Sequence, residues 1–317
     1  MRLRPWKCLV RIKELLLASP SSSSDIKRLS DVSVRSHSDI CYAPMLSTVH
    51  DARVTLDAYQ LVSSPAKGTV IFLHGGGLRK GSKRHIGGKD LFFNSLGFNF
   101  LSCNYPLVAQ CTDSVIDEQL LALKSLDQWV KTELQLLCPV NENAPIIYFG
   151  HSAGSYLIAL GLSKGLFLNQ HSSFILIDSA AYDLSKRYSA ARPNVKQEIE
   201  RLVGYRTNDR NDLDNLIRTY SPVDNIASVP VDLTRINGGW AYLATTMKRF
   251  SRESSLILAS LIRQRLKMEA TVKSYPFGHT DISREIADPK SRIGRDLTIL
   301  LSKALDADAA SAIDEVH

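Results

Sequence analysis

Cysteine is scarce in this chain, and it is not arranged for a purpose. The five cysteines (Cys8, Cys41, Cys103, Cys111 and Cys138) show the spacing of neither a disulfide framework nor a zinc site. No H-E-x-x-H pattern occurs, so no metal is expected, and no sequence feature implies a cofactor. No apolar run approaches the ~20 residues that cross a bilayer, which excludes a membrane span, and there is no internal repeat. Basic residues do not interleave with aromatics in any nucleic-acid-binding motif, so no nucleic-acid partner is expected. Odd, scattered thiols suit a reducing, cytoplasmic compartment.

Acidic residues are scarce at the N-terminus. The formal net charge is +7, and residues 1–30 carry seven of the basic side chains (Arg2, Arg4, Lys7, Arg11, Lys13, Lys27, Arg28) against Glu14 and Asp25. The remaining chain is close to balanced. The basic start ends in a serine linker, Ser19 to Asp25. It reads either as a peripheral helix, as an organelle-targeting segment, or as a start with no role. A 44% apolar content in 317 residues supplies a full core for one catalytic domain.

What the sequence does have is a serine in a particular setting. Gly150-His151-Ser152-Ala153-Gly154 follows the apolar run Pro145 to Phe149 and precedes the apolar helical pattern Ser155 to Leu162. Strand, G-x-S-x-G and helix together describe a nucleophile elbow. A serine hydroxyl is a weak nucleophile, so it must stand on a sharp turn where a base can reach its proton. Upstream, the strand Gly68 to Leu73 runs into His74-Gly75-Gly76-Gly77. Glycines there leave backbone N–H groups unshielded, which is what an oxyanion hole requires. Downstream, the strand Ala270 to Tyr275 leads to His279. Glycines, serine, histidine: that is the chain order of an α/β-hydrolase.

These segments resemble the hormone-sensitive-lipase-like carboxylesterase group of α/β-hydrolases, whose oxyanion motif is H-G-G-G and whose elbow is often G-x-S-A-G. Phe100 to Leu107 resembles that group's strand ending in Tyr-Arg-Leu, with Pro106 in place of Arg. Tyr182-Asp183-Leu184 and Tyr220-Ser221-Pro222 resemble its Asp-Leu and Ser-Pro segments. The kynurenine-formamidase-like group is similar too, but it carries an aromatic where this chain has Leu78 and Arg79. The resemblance implies an α/β-hydrolase fold: a mainly parallel, doubly wound sheet with helices on both faces and a small cap or lid. It implies a basic segment over residues 1–39, a catalytic domain over 40–308 with a lid insertion at about 183–228, and a tail over 309–317.

Strand and helix alternate as this fold requires. Strands are expected at Ile40 to Pro44, Val54 to Val62, Gly68 to Leu73, Asn99 to Asn104, Pro145 to Phe149, Phe174 to Ile177, Val231 to Ile236 and Ala270 to Tyr275. Helices are expected at Lys89 to Leu96, Asp113 to Leu137, Arg252 to Met268 and about Ser283 to Leu305.

One piece is missing. The acid that orients the histidine usually follows the seventh strand, yet no Asp or Glu lies between Ile236 and Phe250. Asn237, Glu253, Asp232 and Asp178 remain as candidates for the third position, so a catalytically weak binding protein on the same fold stays an alternative. His74 is expected to brace the glycine loop, and His151 to be structural. The basic loop Arg79 to Lys89, with His85, reads as a solvated rim, with an anionic substrate drawn by Arg79, Lys80, Lys83 and Arg84 as the alternative.

The expectation is therefore a serine hydrolase cleaving a carboxylic ester of a small molecule. Ser152 is the nucleophile and His279 the general base. Gly76, Gly77 and Ala153 donate to the oxyanion. A formamidase or amidase, or an acyltransferase, cyclase or lyase, uses the same parts. The expected partner is a small-molecule ester or amide; a homodimer is open.

Overall fold

The computed structural model describes residues 26–29, 32–46, 51–110, 115–141, 143–167, 172–207, 209–228 and 239–302. Nine strands form one sheet: β1 (Ile26–Leu29), β2 (Val32–Cys41), β3 (Thr55–Leu61), β4 (Thr69–Leu73), β5 (Asn99–Cys103), β6 (Ile146–His151), β7 (Ser172–Ile177), β8 (Trp240–Thr246) and β9 (Glu269–Tyr275), in the spatial order β1-β2-β3-β5-β4-β6-β7-β8-β9. The first three pair antiparallel, and β3 pairs antiparallel with β5. From β5 to β9 every pairing is parallel.

The helices are α1 (Lys89–Ser95), α2 (Val115–Thr132), α3 (Leu134–Leu137), α4 (Ala153–Ser163), α5 (Leu184–Ser189), α6 (Pro193–Leu202), α7 (Arg210–Thr219), α8 (Pro222–Ser228), α9 (Arg249–Arg265), α10 (Asp281–Glu285) and α11 (292–302).

The inner parallel strands β4 to β8 are buried almost end to end because both sheet faces are covered, whereas the edge strand β9 alternates buried and exposed residues. Successive side chains on a strand point to opposite faces, and the core divides accordingly. Ile71, Leu73, Tyr148, Phe174 and Leu176 pack with α2 and α4. Val70, Phe72, Ile147, Phe149, Ile175 and Ile177 pack with Phe92 and Phe93 of α1 and with Ile293, Leu297 and Leu301 of α11. The spacing of those last three residues, four apart, keeps them on one helical face.

Some element boundaries differ from the sequence reading; the helix expected over Asp113 to Leu137, for one, divides into α2 and α3. The first antiparallel strand starts at Val32, not Ile40, and β1 precedes it. A domain boundary at residue 40 would thus cut through β2. Its polar run Val-Ser-Val-Arg-Ser-His-Ser hides it, since a strand near a sheet edge needs little apolar surface. The strand expected at Val231 to Ile236 falls outside the described residues, and β8, starting at Trp240, is the one that pairs between β7 and β9. The C-terminal helix is two, α10 and α11, with Asp288 to Lys290 between them.

The basic loop is not uniformly a solvated rim. Arg79, Lys80 and Arg84 are exposed, but Lys83 and Lys89 are buried. Lys83 Nζ is ion-paired with Asp39, at 2.7 Å, and with Asp57. It ties the loop to β2 and β3, which composition alone does not reveal. Lys89 Nζ donates to the Ile86 carbonyl at 3.1 Å and lies 5.5 Å from the centre of the Phe72 ring. Burial draws its pKa down to about 8.

Candidate active site

The site is assembled where the neighbouring parallel strands β4, β6, β7, β8 and β9 end, the crevice position that open α/β sheets offer to ligands. Ser152 follows β6 and caps α4. Its φ of 55° and ψ of −111° are the strained geometry of an elbow. The flanking glycines are sterically required. A Cβ at Gly154 would overlap the Leu73 carbonyl, and one at Gly150 would overlap the Ser155 amide. The elbow therefore brings helix and strand backbones closer than any side chain allows. The Ser152 amide donates to the Ile177 carbonyl at 2.8 Å, which anchors the turn to β7.

His279 lies four residues beyond β9. Its Nε2 is 2.9 Å from Ser152 Oγ and its Nδ1 is 2.6 Å from Asp178 Oδ2. The hydrogen-bond network assigns the proton to Nδ1, which donates to the carboxylate, so that Nε2 accepts from the serine. Asp178 follows β7 with φ of 44° and is 1% exposed. Its other oxygen accepts from the Thr246 amide at 2.9 Å and the Thr246 hydroxyl at 3.1 Å, and Thr245 Oγ1 is 3.3 Å away. Burial pushes the Asp178 pKa up. The hydrogen bonds from His279 and Thr246 outweigh it and hold the carboxyl below its ordinary value.

Of the four candidates for the third position, Asp178 is the one that meets His279. Glu253 is turned to the surface, where it accepts from Lys186 Nζ and Arg249 Nε, each at 2.7 Å. Asp232 and Asn237 lie outside the described residues. The end of β8, where an acid was sought, presents Thr246 instead, and its amide and hydroxyl hold the carboxylate of the adjacent strand. Asp183 of the Asp-Leu segment is an ordinary helix cap, accepting from the Lys186 amide at 2.9 Å.

His151 and His74 act on position. His151 Nε2 is 2.9 Å from the His279 carbonyl oxygen, so the elbow residue beside the serine braces the histidine loop. His74 Nδ1 is 2.8 Å from the Gly75 carbonyl oxygen, and its ring stacks on Tyr105 at 4.4 Å. Burial pulls both pKa values down to about 4, so both rings are neutral at pH 7.

Gly75 passes so close to the elbow that a Cβ would stand 3.2 Å from that of Ser152. Gly76 and Gly77 both have positive φ, 133° and 62°. Gly77 and Ala153 border the cavity over Ser152, whereas Gly76 is set back beneath the Lys80 carbonyl. Ala153 opens α4, so its amide has no acceptor within the helix. The cavity holds about 410 Å³ and lies in the size range of small-molecule sites. Leu184, Val195 and Ile199 wall it from α5 and α6; Leu184 belongs to the Asp-Leu segment, but nothing local marks any of the three as a pocket residue.

No family model matches the sequence, and no curated protein sequence does. The three-dimensional comparison is informative. Esterase B from Lactobacillus rhamnosis superposes with a TM-score of 0.64 at 16% identity, covering 97% of this chain and 94% of that one. The chain has the α/β-hydrolase fold. A truncated carbohydrate esterase from gut microbiota gives 0.64 at 15% identity, over 90% of this chain and 99% of that one. An acetyl ester-xyloside bifunctional hydrolase from Caldicellulosiruptor lactoaceticus gives 0.58 at 17%, over 80% and 88%. At such identities the likeness carries the α/β-hydrolase architecture, and the chemistry must be argued from the site.

Proposed function

We propose that the protein is a serine hydrolase of the carboxylesterase type, cleaving a small-molecule ester through an acyl-enzyme. The observation that carries this reading is the unbroken relay Ser152–His279–Asp178, with spacings of 2.9 and 2.6 Å, at the mouth of the cavity.

In this reading Ser152 Oγ attacks the ester carbonyl while His279 Nε2 accepts its proton. The ionised Asp178 holds the imidazole in the required tautomer and stabilises the imidazolium that forms. Amides of Gly77 and Ala153, which border the cavity, receive the oxyanion, with the N-terminal end of α4 favouring negative charge there; Gly76, set back from the cavity, shapes the loop that presents them. His279 then protonates the departing alkoxide. A water molecule, deprotonated by the same nitrogen, releases the acid and restores Ser152. Helices α5 to α8 take the part of the lid. The carboxylate of Asp178 beside His279 supports a catalytic reading over a non-catalytic binding protein.

The test is covalent labelling followed by a panel of short-chain esters. Ser152→Ala is expected to abolish fluorophosphonate labelling and to lower kcat by at least ~10³-fold. A variant that labels and turns over like the parent refutes the assignment. Formanilides and acyl acceptors in the same panel separate the amidase and acyl-transfer versions from ester hydrolysis.

A further inference from the structure

The cavity carries charge that the relay does not use. Arg187 of α5 lines it and is half-buried. Among the described residues its guanidinium has no hydrogen-bond or ion-pair partner. Burial lowers its pKa and the nearby Glu198 raises it, but an arginine stays charged in either case. Glu198 is itself bound to Arg79 at 3.2 Å, so its charge is already shared. A half-buried guanidinium with no protein acceptor keeps its donors free for an anion that enters the cavity.

A second, independent feature faces the same space. The first turn of α9 has no side-chain cap and no acidic residue. Its first intrahelical bond runs from the Arg252 amide to the Lys248 carbonyl, at 3.1 Å, so the amides of Arg249, Phe250 and Ser251 have no acceptor within the helix. Lys248 and Ser251 line the cavity. Ser251 is only 5% exposed, and its hydroxyl has no partner among the described residues. The Lys186–Glu253 pair, at 2.7 Å, joins α5 to α9 at the surface, and Arg187, Lys248 and Ser251 line the same cavity.

We propose that this wall is a carboxylate subsite: the ester cleaved at Ser152 carries a carboxylate, held by the Arg187 guanidinium together with the Ser251 hydroxyl and the N-terminal turn of α9. The inference rests on the ester-hydrolase reading above. A guanidinium fork matches a carboxylate in two parallel hydrogen bonds, and a helix N-terminus favours an anion. A phosphate fits the same donors, but Glu198 stands close enough to oppose a dianion more than a single charge.

The experiment compares substrates that differ only in charge. One pair is mono(4-nitrophenyl) glutarate and 4-nitrophenyl methyl glutarate, with succinate and adipate homologues to vary reach. The second is 3-acetoxybenzoate and its methyl ester, which place the anion on the leaving group. In at least one pair the parent should favour the anionic member in kcat/KM by about tenfold or more, the effect of a hydrogen bond to a charged group. Arg187→Gln should remove that preference and leave the neutral ester within about threefold. Equal rates within both pairs, or an equal loss on both members in Arg187→Gln, overturns the proposal. Should Arg187→Gln lose its cooperative melting transition, inhibition of the parent decides: glutarate must inhibit at a concentration about tenfold or more below dimethyl glutarate. Equal inhibition, or stronger inhibition by inorganic phosphate than by glutarate, also overturns it. A parent that hydrolyses no ester and takes no fluorophosphonate fails differently, because then the ester reading itself falls and this subsite with it.

Discussion

Asp178 stands one residue beyond the last apolar position of β7, with positive φ and its carboxylate shared between His279 and Thr246. Its replacement by Asn keeps the shape but favours the wrong histidine tautomer. Asp178→Asn is expected to cost on the order of 10⁴ in kcat, measured on any ester the parent turns over. Glu253→Gln, which removes only a surface carboxylate, should stay within about threefold. The same residue gives a stability signature. Its folded pKa is depressed, so the ionised form contributes stability that is complete above the unfolded value of about 3.9. That contribution is lost as pH falls through the folded value. Urea midpoints should accordingly fall less steeply in Asp178→Asn than in the parent over that acidic window; parallel curves would show that the carboxylate gains nothing on folding. Among residues, Ser152 was legible because its motif is local. Asp178 was only one of four candidates, since an Asp after an apolar strand is common and its distance to His279 spans a hundred residues of chain.

At the scale of elements, the elbow depends on two backbones touching. A methyl group at Gly154 has no room beside the Leu73 carbonyl. Gly154→Ala should destabilise by about 1–3 kcal/mol, the ordinary cost of overpacking, and should slow fluorophosphonate labelling as the turn shifts. A thermal melt and a labelling time course check the two effects separately. Strand, turn and helix here were readable from periodicity. The loop after the glycines was not, because its clustered charges look alike in sequence while their burial differs. Lys83 is buried against Asp57 and ion-paired also with the exposed Asp39. Lys83→Met leaves the buried Asp57 carboxylate without its partner and should cost about 3–5 kcal/mol, read from chemical denaturation.

For the whole molecule, the sheet shows which part of the N-terminal segment matters. Among the described residues β1 lies at the sheet edge and pairs with β2 alone. Deleting residues 1–30 should leave cooperative unfolding, monitored by circular dichroism. Deleting residues 1–39 removes nearly all of β2 and the Asp39 partner of Lys83, and should lower the melting temperature or abolish the transition. If both truncations melt like the parent, β2 is not part of the cooperative unit.

The sequence by itself determined the alternation of strand and helix, the elbow, the glycine loop and the order of serine and histidine. Each of these is written in neighbouring residues, where period, glycine and apolar runs act over a few positions. The tertiary structure alone decided which acid orients His279, which lysines are buried, and which charged groups wall the cavity. Parallel pairing sets the ends of β6, β7, β8 and β9 side by side although they are far apart in the chain. Only that juxtaposition lets a carboxylate after β7, held by threonines ending β8, meet a histidine after β9.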